Sequence, residues 1–140
     1  MARDLNRLVG VLLGGAIISA TSVACSGECN AAAQRYFSIV ENATQKSFGG
    51  GVPHPADEVS GCDSGDDPSV LIWMEENGDS AVEIAGRMEL DDWKMLSRQE
   101  ARRYLGEIAL EKRADGQTLI AVVRSEPGVP GKVVEVVPEG

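Results

Sequence analysis

Residues 111–124 read E-K-R-A-D-G-Q-T-L-I-A-V-V-R. Two folds diverge at this stretch. If a helical pattern that starts near Ser97 runs on to Arg113, the last third of the chain is largely helical. If Gly106 stops that helix, E-I-A-L-E-K-R becomes a strand and Ala114-Asp115-Gly116 a tight turn. Asp-Gly suits the positive φ that a short hairpin connection demands. Thr118–Arg124 then reads as the returning strand. The hairpin is the reading adopted here, which makes the chain α+β; 107–113 remains the segment that either state could claim.

The neighbouring segments follow from that choice. Downstream, S-E-P-G-V-P-G is a turn and Lys132–Val137 the last strand, where Lys132, Glu135 and Pro138 would discourage edge-to-edge pairing. Upstream, Ser97-Arg98-Gln99-Glu100 and Ser80-Ala81-Val82-Glu83 are capping boxes. In each, the serine oxygen and the glutamate three residues later satisfy each other's orphan backbone donors. One predicted helix therefore runs from Ser97 through Tyr104 or Leu105. Another runs from Ser80 to about Leu90, with Val82, Ala85 and Met88 facing inward and Asp91-Asp92-Trp93 ending it. Val70–Met74 alternates little, as a central strand does. Residues 49–68 read as an irregular connection. Before it, Asn30 caps a helix over 30–47 whose stripe is Ala33, Tyr36, Phe37, Val40, Ala43 and Phe48. Gly49-Gly50-Gly51 and Pro53 end that helix. The expected architecture is an N-terminal helix, a strand, two short helices and a C-terminal antiparallel β-meander, with the helices on one face of the sheet. One domain spans 30–140, and no internal repeat is visible.

The N-terminus opens M-A-R-D-L-N-R, and Arg3 and Arg7 precede an uncharged run from Leu8 to Val23. That run is short for a spanning helix, and Gly10, Gly14 and Gly15 weaken it, so 1–24 reads as a signal peptide. Residues 22–25, S-V-A-C, resemble a bacterial lipobox. Together with A-A-A-Q-R-Y-F and G-C-D-S-G-D-D-P-S-V, they resemble small exported lipoproteins of actinobacteria. The resemblance covers about the first half of the chain. It implies cleavage before Cys25, lipid on the Cys25 sulfur (a diacylglycerol whose two acyl chains include fatty acids such as palmitate), and a 25–29 tether. It carries over no catalytic residue. Ser22 stands where lipoboxes favour Leu, and Ser-x-Ala also suits ordinary signal peptidase; a secreted protein is then the alternative.

Cysteine parity agrees with the lipid. The chain has three cysteines. With Cys25 alkylated, Cys29 and Cys62 remain as a pair for an oxidising compartment, closing a loop of 34 residues. Without the lipid one thiol is left over. Three independent thiols are the simpler alternative.

Removal of the first 24 of 140 residues leaves 116 and moves the net charge from −9 to −10. So acidic a surface repels phosphate backbones, and no nucleic-acid partner is expected.

Sites for chemistry are sparse. His54, the one histidine, lies in V-P-H-P with no second histidine to complete a metal or triad constellation, and reads as a solvated loop residue. Asp63, Asp66 and Asp67 gather carboxylates as calcium prefers, but Gly65 and Met74 occupy ligand positions of the calcium-loop pattern. A turn is the plainer reading, and no metal or cofactor is expected. Gly49-Gly50-Gly51 lacks the Lys-Ser or Lys-Thr of a phosphate cradle. Adjacent acids such as Glu75-Glu76 and Asp91-Asp92 point apart and make poor acid/base couples. Lys94, Arg98, Arg102 and Arg103 form the one basic cluster. It can receive an acidic partner, or balance Glu100 and the acidic surroundings, which is the simpler expectation. The expected function is that of a non-enzymatic lipoprotein on the extracytoplasmic face of the cell membrane, binding an envelope protein or a small ligand. The alternatives are an inhibitor or immunity-type module for a secreted enzyme, and a carboxylate-based envelope hydrolase.

Overall fold

The computed structural model of the protein describes residues 21–49, 56–75 and 78–140. The expectations for 1–20 and for His54 lie outside them.

The first helix, α1, spans Thr21–Thr44. It begins nine residues upstream of Asn30, which sits inside it and caps nothing. Between Thr21 and Asn30 only Gly27 opposes helix, at a cost of about 1 kcal/mol, too little to stop it. Most of the expected stripe holds: Ala33, Tyr36, Phe37, Val40 and Ala43 are buried, whereas Phe48 lies beyond the helix end and packs half-buried against the core. The helix also ends earlier than residue 47. Thr44 Oγ1 donates back to the Val40 carbonyl at 2.8 Å, and the Ser47 N–H turns away to the Asp91 carboxylate at 3.0 Å.

Six strands form one antiparallel sheet in the order β1-β2-β6-β5-β4-β3. They are β1 Ala56–Val59, β2 Ser69–Trp73, β3 Lys94–Met95, β4 Ile108–Ala114, β5 Gln117–Arg124 and β6 Val133–Pro138. The hairpin over 111–124 is present, with Ala114 opposite Gln117 and both Asp115 and Gly116 at positive φ. Three strand expectations need correction. The connection 49–68 is not wholly irregular, since β1 lies within it and pairs with β2. β3 adds a two-residue edge beside β4. β6 is no edge: it lies between β2 and β5. The apolar V-V-E-V-V of 133–137 suits that interior place better than its flanking Lys and Pro suit an edge.

Helix α2, Ala81–Glu89, and helix α3, Arg98–Arg103, each begin with the capping box read from sequence. On α2 the buried face is Ala81, Ile84, Ala85 and Met88, whereas Val82 is 70% exposed. The phase is set by Ile84, which is wholly buried. The core joins α1 and α2 to one sheet face, through Val70, Ile72, Leu110, Leu119, Ala121 and Val134 among others. Tyr36 Oη donates to the Val136 carbonyl at 2.8 Å and pins α1 to β6. Burial, then the charges of Glu135 and Asp67, push the Tyr36 phenol up, so it stays a neutral donor.

Candidate functional site

Three places gather chemistry-bearing side chains. The first is the sulfur pair. Cys29 and Cys62 are bonded, with Cα atoms 5.9 Å apart. Cys29 lies on α1, and Cys62 lies in the turn between β1 and β2. That turn is tight: Gly65 N–H donates to the Gly61 carbonyl at 2.8 Å, and Ser60 Oγ accepts from Cys62 N–H. Gly61 has φ +71°, and a Cβ there would lie 2.1 Å from the Asp66 carbonyl oxygen, so only glycine fits. Asp63, Asp66 and Asp67 project from this turn, exposed. Among the described residues no group of three or more His, Cys, Asp or Glu is placed to hold a metal. Cys25 lies one helical turn before the bonded Cys29.

The second place is a cleft of about 250 Å³ where the end of β2 meets α2, lined by Phe48, Trp73, Met74, Glu75, Asp79 and Arg87. Arg87 pairs with Asp79 and lies over the Phe48 ring, 5.9 Å from its centroid. Trp73 borders the cleft from the end of β2, while its indole N–H donates to Asp57 at 2.7 Å on the sheet face it shares with Leu71. The cleft thus offers aromatic and thioether surface beside one guanidinium and two carboxylates, a lining suited to a small ligand with an apolar body. Sequence reasoning missed it because Phe48, Trp73 and Arg87 come from separate elements.

The third is a buried polar knot. Lys112 Nζ donates to the Ala43 carbonyl at 2.9 Å and the Asp91 carbonyl at 2.7 Å, and lies 3.2 Å from Asp91 Oδ1. Ser47 N–H and Oγ both donate to Asp91 Oδ2, and the Trp93 indole N–H donates to the Ala43 carbonyl. Burial pushes the Asp91 carboxyl upward, but the Ser47 and Lys112 hydrogen bonds outweigh it and hold the pKa below the ordinary value. Ser47 is 4% exposed, so its hydroxyl meets no substrate. The knot fastens the end of α1 to the end of α2 and to β4. Asp91 was visible in the sequence as part of a helix stop and as half of an adjacent acid pair, with nothing to point to Lys112 or Ser47.

The basic cluster is exposed on β3 and α3. Its supposed counterion, Glu100, accepts from Ser97 N–H and Oγ in the capping box at 2.9 and 2.6 Å. Those same hydrogen bonds hold its pKa down. Glu107, hydrogen-bonded by Lys132, is likewise held low. No family model, no curated protein and no solved structure matches the chain.

Proposed function

We propose that the chain is an extracytoplasmic lipoprotein, anchored to the membrane through lipid on Cys25, that works by binding. One observation carries the reading: the Cys29–Cys62 bond leaves Cys25 as the odd cysteine, within one turn of the domain's clamp. Two acyl signals on one residue give durable attachment, where a single chain would be marginal. The binding half rests on the cleft beside Arg87, which suits a small ligand, and on an acidic surface that would steer a basic protein. That same acidity favours the second reading, an inhibitor or immunity-type module for a secreted enzyme.

Intact-mass analysis of protein from the producing cell, with and without reductant, tests the anchor. The expected species starts at Cys25, carries the lipid, and gains two hydrogens on reduction. Radiolabelled palmitate should enter the wild type and not Cys25→Ser. An unlabelled wild type overturns the anchoring half.

A further inference from the structure

Helix α3 ends in a reciprocal pair of hydrogen bonds: Leu105 N–H to the Arg102 carbonyl and Gly106 N–H to the Ala101 carbonyl, each 3.2 Å. This is the Schellman arrangement, whose left-handed position normally belongs to glycine. Here that position, φ +56°, is held by Leu105. The glycine one residue later is fixed there by packing, since a Cβ on Gly106 would lie 2.4 Å from Val122 Cγ1. Leu105 therefore carries backbone strain, and its side chain is 85% exposed. A glycine would remove both costs. Val82 and Leu90 are also exposed, but Val82 lies on α2 and Leu90 caps the C-terminus of α2 with an ordinary helical φ of −67°.

What surrounds Leu105 is equally uneven. Residues 94–113 hold six cations and three acids, a local charge of +3 in a chain of net −9, so the remainder carries −12. Glu107 is bound to Lys132 and Glu100 to its cap. Among the described residues, Arg98, Arg102 and Arg103 form no ion pair. Backbone strain retained where it serves no packing points to a functional contact.

We infer that the α3 corner, Arg98, Arg102, Arg103 and Leu105, is the docking surface for an acidic protein segment with an apolar side chain at its centre. Leu105 supplies the apolar anchor and the arginines the charged rim, the usual anatomy of an interface hot spot. The inference goes beyond the binding reading, whose partners are a small ligand and a basic protein, and assigns a separate acidic partner to the basic patch. A protein segment fits better than a bilayer. The corner lies against β4, near the β3 edge of the sheet, whereas the Cys29–Cys62 clamp, and with it the anchor, lies at the β1 end. A bilayer at the clamp would therefore lie at the opposite end of the sheet from the corner.

The test is fluorescence anisotropy of the purified protein against two labelled peptides, Glu-Asp-Glu-Leu-Glu-Asp-Glu and the same peptide with serine at its centre. It needs no lipid, so its failure is separable from failure of the anchor. The leucine peptide should bind roughly tenfold tighter, as burying one aliphatic side chain implies. Arg98→Glu with Arg102→Glu should abolish binding of both. Leu105→Gly should erase the preference while raising the melting temperature, an outcome that a structural role for Leu105 cannot give. Equal affinity for the two peptides, or a lower melting temperature for Leu105→Gly, overturns the inference. So does preferential binding to phosphatidylglycerol vesicles, or self-association that Leu105→Gly removes.

Discussion

Asp91→Ala isolates the knot that joins α1, α2 and β4. The substitution leaves the Lys112 ammonium with two carbonyl acceptors and no counterion, and strips the Ser47 N–H and hydroxyl of their acceptor. The native protein has no buried side-chain N or O without a partner among the described residues, so this would introduce the first such defects. Breaking a buried pair from one side costs about 3–5 kcal/mol. The Lys112 side chain is 16% exposed and keeps its two carbonyls, which places the cost at the low end, about 3 kcal/mol. Domains of this size are stable by about 5–15 kcal/mol, so a fifth or more of the total would go. The melting temperature should fall by about 12 °C. Urea denaturation followed by Trp fluorescence measures it, since Trp93 lies in the knot. In a cycle with Lys112→Met, the double variant should lose about 1–3 kcal/mol less than the sum of the singles. A loss under about 1 kcal/mol for Asp91→Ala, or a strictly additive cycle, would refute the reasoning.

Replacing Cys29 and Cys62 together with serine should cost about 3–4 kcal/mol, from the chain entropy of the 34-residue loop, read as a lower urea midpoint. Gly61→Ala should destabilise by more than about 1 kcal/mol, because its φ and the Asp66 carbonyl both reject a Cβ; thermal melting reports it. Acid should also weaken the fold. Asp91 and Glu107 are held below their ordinary values when folded, so the unfolded chain takes up protons first as pH falls. Their contribution is full above about pH 5 and drains as pH drops through 4 and below. Urea midpoints at pH 7 and pH 3 should differ in that sense, and Asp91→Asn should shrink the difference.

What was legible in the sequence was mostly local. Both capping boxes, the Asp-Gly turn and the stripe of α1 depend on residues within a few positions of each other, and all are found. Ser80 and Ser97 each accept from the glutamate N–H three residues on, as written. The disulfide came from counting thiols. What escaped depends on distant partners. A-D-E-V at 56–59 has weak strand propensity and becomes β1 because β2 offers it an edge. The Lys112–Asp91 knot joins residues 21 apart, and its other acceptor, Ala43, lies 69 positions from Lys112. The cost at Leu105 is invisible without φ, since the letters Y-L-G end a helix plausibly in either order.

The place of β6 has a bearing on how the chain is made. The last strand in sequence is the link between two groups of earlier ones, β1-β2 on one side and β5-β4-β3 on the other. Whether the polypeptide leaves a ribosome or a translocation pore, it emerges amino end first, and the two partial sheets wait unjoined until residues 133–138 arrive. Closure of the whole sheet is thus deferred until that segment emerges, and losing it would leave two fragments with open flanks where there had been a single layer.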